Sequence, residues 1–550
     1  MVGLYRGSPC RRLQRPQRTL VLLLSLAPFF TVVFGNVFTL LDRICATSRR
    51  DESAVIFNGT PRTYGDLRER ALRFANALQA IGIAPGDRVA VLLPNCHEWP
   101  EIFFATAAMG AICVPVNVLN SGPEVLGVLE DCDANCLVLN AASDASLADA
   151  SGLPEAIIAV GPSAVANTHD YESLLAIAAT TVPNGPGPND LFMFFYSSGT
   201  TGKPKGAAHT HAGILWNAYQ QVVDFGLTAQ DRYLAVPSLS WAAGFHNLVL
   251  PLWWLGGSTV LMPTGGLTVD KIVAGVRDGN CTHTFFVPTL LKQLLAAPEQ
   301  LAILRETDLR WIISGAEPVP VPVIEAINSE LPGCDVVQGY GMSEFPTIAT
   351  ALKPEEAIPK AGSAGRAMSI TQLAVRLSDG SIAAHGEGET LLRSLATMQG
   401  YFGRPDATEE AFADGWFNSG DMGLIDEEGF LTITGRTKDL IISGGLNIYP
   451  KEIEDVIYSL DGVSEAAVVG IHDEQWGEIV VAIVVPNAAG AVSKEAVLTA
   501  CEVLGKYKRP KAVIVRQEPL PRTLTQKVLK RELRPWAQQQ VGEAAQKTPQ

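Results

Sequence analysis

Three features of the 550-residue sequence predict an α/β fold, with a large N-terminal domain followed by a smaller α+β domain. The first is an alternation of apolar runs with helical periodicity: residues 88–93 read as a buried strand, 98–108 as a helix and 111–116 as the next strand. Strand, helix and strand in that order imply a parallel sheet with right-handed crossovers. The second is the apolar run 191–195, a buried strand that leads straight into Tyr196-Ser-Ser-Gly-Thr-Thr-Gly-Lys-Pro-Lys-Gly206. The third is a change near residue 435 to a smaller unit of short strands and helices. A chain of 550 residues is expected to hold more than one domain, and 47% hydrophobic against 18% charged residues is enough for large cores.

In chain order, the globular pattern begins at Asn36. Thr63 and Asp66 have the spacing of a capping box, and Leu67, Ala71, Phe74, Leu78 and Ile81 follow at helical spacing up to a stop at Gly82. Residues 137–139 and 157–160 continue the strands, and 141–152 and 180–189 read as loops. Beyond the glycine-rich segment, 233–237, 258–262, 285–288, 311–315 and 335–340 read as strands with helices between them, and 241–246 is an aromatic and small-residue patch. His209 and His211 read as helix-start residues rather than metal ligands. In the second unit, strands at 466–471 and 478–485 flank a turn, with helices at 450–459 and 493–504, and the glutamine-rich tail beyond Pro535 reads as frayed.

Net charge excludes one class of partner, since −15 argues against a nucleic-acid binder. Nine cysteines without a CxxC pair predict reduced thiols rather than a metal centre. Residues 1–36 carry Arg6, Arg11, Arg12, Arg15 and Arg18 with no acid before an apolar run interrupted by Pro28. The run is shorter than the roughly 20 residues of a spanning helix. It is therefore read as a dispensable extension, a start-site artefact ahead of the true start, or a peripheral membrane contact on a cytoplasmic protein. No convincing small-x-small cleavage site follows the run, which disfavours a secretory signal.

The glycine-rich segment carries the first chemical argument. Glycines let the backbone approach a ligand, and bare N–H groups, hydroxyls and ammonium groups together suit a polyphosphate. The Gly-Lys-Ser/Thr ending of a Walker A loop is absent. Further stretches follow: Ser314-Gly-Ala-Glu-Pro318, Gln338-Gly-Tyr-Gly-Met-Ser-Glu344, Trp416-Phe-Asn-Ser-Gly-Asp421, Gly435-Arg-Thr-Lys-Asp-Leu-Ile-Ile-Ser-Gly-Gly-Leu-Asn447 and Pro521-Arg-Thr-Leu-Thr-Gln-Lys527. In order and spacing this set resembles the adenylate-forming superfamily, in its acyl-CoA synthetase branch, over about residues 37–535.

The resemblance implies an extension at 1–36, a multi-sheet adenylation domain at 37–435 and a small mobile α+β lid domain at 436–540. It implies a ligase that uses ATP, Mg²⁺ and CoA: a carboxylate attacks the α-phosphate of ATP, and a thiol then displaces AMP from the acyl-adenylate. By position, Ser197, Ser198, Gly199, Thr200, Thr201, Gly202, Lys203 and Lys205 would hold the phosphates, with Thr200 and Glu344 at the metal. Tyr340 would stack on adenine, lined by Gly315, Ala316 and Glu317 and flanked by Gln338, Gly339, Gly341 and Ser343. Asp421 would accept the ribose hydroxyls, and Arg436 would meet the ribose or a phosphate. Lys527 would bridge the attacking carboxylate and the α-phosphate as charge develops, making it catalytic with Glu344 and Thr200. Lys438 would be the hinge, Gly444 and Gly445 would line the CoA tunnel, and Tyr507-Lys-Arg-Pro510 would meet CoA phosphates or form a solvated turn.

The acyl pocket would be built from Trp241, Phe245, His246, Gly341 and Pro346, with His246 either gating it or sitting as a satisfied core histidine. No arginine lies in these stretches, which favours a monocarboxylic acid, fatty or aromatic. Two departures from the family pattern stand out: Gln526 replaces the usual glycine before Lys527, and Ser343 replaces the usual threonine. A carrier-protein thiol as acceptor, a membrane-associated fatty-acid uptake protein and a nucleotide-binding pseudoenzyme are the alternatives.

Overall fold

The long helix that follows the first β-hairpin is set by its cap. Thr63 Oγ1 accepts from the Asp66 N–H and the Asp66 carboxylate accepts from the Thr63 N–H, each at 3.0 Å, which starts the helix Tyr64–Ala80. The computed structural model describes residues 35–141, 146–197, 205–315, 317–487, 492–522 and 528–547. The N-terminal basic and apolar stretch, phosphate-loop residues Ser198 to Pro204, Ala316, Gln526 and Lys527 lie outside them, as do the side chains of Ser197 and Pro346.

Arg88–Leu92, Glu98–Met109 and Ile112–Pro115 form the expected parallel βαβ unit. It belongs to an eight-stranded sheet that runs from His169–Asp170 through Ala156–Val160, Cys136–Asn140, Arg88–Leu92, Ile112–Pro115 and Leu191–Ser197. Lys205–Thr210 and Gly400–Tyr401 then add as antiparallel strands. Ser197 pairs with Lys205, so the phosphate-loop segment joins two strands of one hairpin.

A nine-stranded sheet is parallel through Asp335–Met342, Trp311–Gly315, His283–Phe285, Arg232–Ala235, Ser258–Leu261 and Ser53–Phe57. Antiparallel strands close it on both sides, Phe345–Leu352 beside Asp335–Met342 and Thr60–Thr63 beside Ser53–Phe57. A core of large side chains, including Trp99, Phe103, Phe104, Phe245 and Trp253, joins the helices that pack on these sheets. An antiparallel sheet follows, built on Thr371–Arg376, Gly386–Ser394, Trp416–Ile425 and Leu431–Arg436.

The C-terminal sheet is organised by the hairpin Val463–Asp473 and Gly477–Pro486, longer than the sequence pattern suggests. Its side chains alternate between two small cores. Val468, Val480 and Ala482 face one with Ile453 and Ile457, while Val469, Val481 and Ile483 face the other.

Three expectations are corrected. Pro288 opens the helix Pro288–Leu295 instead of ending a strand, a position where its missing N–H costs nothing. The tail is not frayed from Pro535: the helix Lys530–Lys547 runs through it, with Leu533 and Ala537 buried against the hairpin. That burial offsets the ~3 kcal/mol cost of an interior proline. His209 lies on the strand Lys205–Thr210, whereas His211 does start the helix His211–Asp224. Among the described residues no helix is long and apolar enough to cross a membrane.

Candidate active site

The hairpin of Asp335–Met342 and Phe345–Leu352 carries two of the predicted groups at its tip, Tyr340 and Glu344. The Tyr340 hydroxyl donates to Asp421 Oδ2 at 2.6 Å, and Arg436 Nε meets Asp421 Oδ1 at 3.0 Å. Asp421 and Arg436 are cross-strand partners in the antiparallel sheet, which explains how residues from two sequence motifs converge. Asp421 is only 3% exposed, and its burial is tolerated because both oxygens are held. Burial and the Asp421 charge push the Tyr340 phenol well above its ordinary range, so it stays a proton donor. The second half of this cradle is backbone: Gly315 pairs with Gly339, and Gln338 Oε1 accepts from the Val319 N–H at 2.7 Å. Gln338 thus anchors the loop after Gly315 from within, while Glu317 stands exposed.

At the other side of the tip, Glu344 Oε1 accepts from the Tyr401 hydroxyl at 2.9 Å. Lys205, the described end of the phosphate loop, places Nζ 5.2 Å from the centre of the Tyr401 ring. Ser343 is fixed through its carbonyl, which lies 2.8 Å from His209 Nε2. Burial holds His209 at about 4, so the neutral ring carries its proton on Nε2 and donates it there. Among the described residues no three His, Cys, Asp or Glu side chains form a metal cage. A single carboxylate beside a phosphate loop suits Mg²⁺, which keeps waters and takes phosphate oxygens for most of its shell.

The acyl-pocket residues divide. Trp241 caps the short helix Ala242–Phe245 and its Nε1 is buried without a hydrogen-bond partner among the described residues. Phe245 is fully buried against Phe103, Trp99 and Trp253 with ring centres 4.1, 5.7 and 5.7 Å away, a member of the aromatic core. His246 is also buried, 3.3 Å from Met193 Sδ and edge-on to Phe195, and is held at about 3 by burial. It is a neutral core histidine. Gln221, which sequence reasoning missed, holds this segment in place: it donates to the His246 carbonyl at 2.7 Å and accepts from the Leu248 N–H at 3.1 Å.

Gly444 and Gly445 lie in the turn between Ile441–Ser443 and Leu446–Ile448, both with positive φ. A β-carbon on Gly444 would sit 2.9 Å from the Trp476 ring, and the positive φ there favours glycine, so a larger residue would have to displace the ring. Lys438 sits in the 3₁₀ turn Thr437–Asp439, directly between Arg436 and the C-terminal sheet, and its carbonyl accepts from Arg534 at 2.9 Å. Lys508 pairs with Glu452 at 2.6 Å.

The sequence profile described as "AMP-binding enzyme" matches residues 41–402, and that of "AMP-binding enzyme C-terminal domain" matches residues 452–527. A long-chain-fatty-acid–CoA ligase of Mycobacterium tuberculosis, FadD13, is 38% identical over 86% of this chain and 92% of its own length. An indoleacetate–CoA ligase of Aromatoleum aromaticum is 36% identical over 88% of this chain and 94% of its own. Among solved structures, the o-succinylbenzoate CoA synthetase MenE of Bacillus subtilis in complex with ATP and magnesium ion superimposes with a TM-score of 0.77. It is 30% identical and covers 91% of this chain and 99% of that one. The chain belongs to the AMP-binding enzyme family, in its acid–CoA ligase branch.

Proposed function

We propose that the protein joins an apolar monocarboxylic acid, fatty or aromatic, to CoA through an acyl-adenylate. The observation that carries this reading is the hairpin tip that presents Tyr340 to Asp421 and Arg436 on one side and Glu344 to the phosphate-loop lysine side on the other. One rigid element thereby spans the two ends of a nucleoside triphosphate. In the first half-reaction a carboxylate oxygen attacks the α-phosphorus and the bond to pyrophosphate breaks. In the second a thiol sulfur attacks the acyl carbon, AMP leaves, and the thiol proton passes to solvent.

Asp421 and Arg436 hold the ribose, Tyr340 covers the base, and Lys205 with its loop holds the outer phosphates. Lys527 neutralises charge at the α-phosphate. Mg²⁺ at Glu344 and Thr200 would supply further neutralisation of the phosphates. Positioning and charge balance thus do most of the catalysis. Beside Trp241, His246 is neutral and buried, which suits an acid without a second carboxylate. The relatives named for long-chain fatty acids and for indoleacetate support the same substrate class.

A rotation about Lys438 would then exchange Lys527 for Gly444 and Gly445 at the site. The basic and apolar residues 1–36 suit a peripheral contact with an anionic bilayer surface, tested by vesicle sedimentation with and without them.

The central test incubates the protein with ATP, Mg²⁺, CoA and a panel of acids and follows AMP and acyl-CoA by mass spectrometry. Formation of both from a monocarboxylic acid is the expected result. Acyl-adenylate that accumulates and is ignored by CoA would assign a carrier-protein thiol instead, and ATP binding without turnover of any acid would refute a ligase.

A further inference from the structure

We propose that Tyr401 is a positioning residue that holds Glu344 ready for its cation and keeps Lys205 from neutralising it. The inference rests on the reading of Glu344 as the magnesium carboxylate.

The backbone places Tyr401 between the two groups. Its short strand pairs with Lys205–Thr210, Tyr401 opposite Ala207, and the Phe402 N–H donates to the Gly206 carbonyl at 2.8 Å. Three residues earlier, the Met398 N–H donates to the carbonyl of Glu344 itself at 3.0 Å. The segment is therefore tied both to the exit of the phosphate loop and to the carboxylate residue.

The side chain acts on both neighbours. Its hydroxyl donates to Glu344 Oε1 at 2.9 Å. A carboxylate has about four lone-pair sites, and one such bond orients the group while leaving the others for a cation. The Tyr401 ring face meanwhile holds the Lys205 ammonium 5.2 Å from its centre. No Lys205–Glu344 ion pair is present among the described residues. With the ring removed, the ammonium and the carboxylate would be free to approach and pair, and the metal would have to displace a lysine. Hydrogen-bond partners of metal-ligating carboxylates change affinity about 10- to 100-fold when removed.

The test uses full-length protein and ATP without acid or CoA, so that no turnover intervenes. ATP binding is measured by calorimetry across a Mg²⁺ titration, and Mn²⁺ occupancy by electron paramagnetic resonance. Tyr401→Phe keeps the ring and removes the hydroxyl. It should require about 10-fold or more Mg²⁺ for half-maximal ATP binding, with metal-free ATP binding and Tm unchanged. Tyr401→Leu also removes the ring and should weaken metal-free ATP binding as well, because Lys205 is captured by Glu344. In a Glu344→Gln background, Tyr401→Phe should add no shift.

A Tyr401→Phe titration that overlays the wild type while Glu344→Gln shifts it overturns the proposal and leaves the metal assignment standing. A Glu344→Gln titration that overlays the wild type overturns the metal assignment and this proposal with it. A Tyr401→Phe protein that loses metal-free binding or melts substantially earlier makes Tyr401 a structural brace, which also overturns it.

Discussion

At position 341 there is room for a hydrogen and nothing larger, since a β-carbon would lie 1.5 Å from the Thr347 carbonyl oxygen. Gly341→Ala must therefore prise apart the hairpin tip between Tyr340 and Glu344. We expect a folded protein that has lost about a hundredfold in ATP–pyrophosphate exchange, the cost of an ~1 Å misplacement of reacting groups. Circular dichroism alongside the exchange assay separates this from unfolding. Asp421→Asn keeps the shape but removes the charge that holds Arg436 and faces the ribose. Loss of one or two charge-assisted hydrogen bonds at ~1.5–3 kcal/mol each should raise the KM for ATP about 10- to 100-fold, with little change in the KM for CoA. Tyr340, Asp421 and Glu344 were legible because each sits in a dense local motif. Tyr401 was not, because its chemical partner is 57 residues away and a single tyrosine gives no sign in the sequence of the carboxylate it meets.

Among the elements, periodicity found the strands and helices of the parallel sheets. It also found the strand that runs into the phosphate loop, although the hairpin partner Lys205–Thr210 became visible only in the structure. Errors gathered at prolines. Pro288 and Pro535 were read as boundaries, yet one opens a helix and the other lies inside one, because tertiary burial of Leu533 and Ala537 overrides a local preference. The C-terminal unit yields its own prediction. Lys527→Ala should cripple adenylation while largely sparing thioester formation from supplied acyl-adenylate, followed as acyl-CoA by mass spectrometry. Equal loss in both half-reactions would refute the rotation.

The molecule as a whole keeps several imidazoles neutral inside it. Burial holds His209, His211, His246 and His283 at about 4, 3, 3 and 4, below the usual 6.5. The unfolded chain takes up these protons below about pH 6.5 and the folded chain does not, so stability is complete above that pH and falls as pH drops toward 4. Each proton is worth about 1.4 kcal/mol per pH unit. Glu101, which burial pushes up to about 7 despite Arg70, opposes them with a single proton between about pH 7 and its ordinary range. The expected outcome is a Tm that declines steadily below pH 6.5, and a shallower decline in His211→Asn. A Tm flat from pH 7 to 5 would contradict the burial of these rings.

The C-terminal hairpin has one more consequence. Its turn accepts the Gly444 N–H at the Trp476 carbonyl, 2.8 Å, while Glu465 on the same hairpin holds Arg522 at 2.7 Å and the terminal helix seats Leu533 against it. The glycine turn and the chain on either side of Lys527 are thus spokes on one hub. Under the proposed rotation the hub works as an escapement: each tick that admits the thiol withdraws the lysine, so a finished acyl-adenylate cannot be run backwards to ATP while it waits for attack.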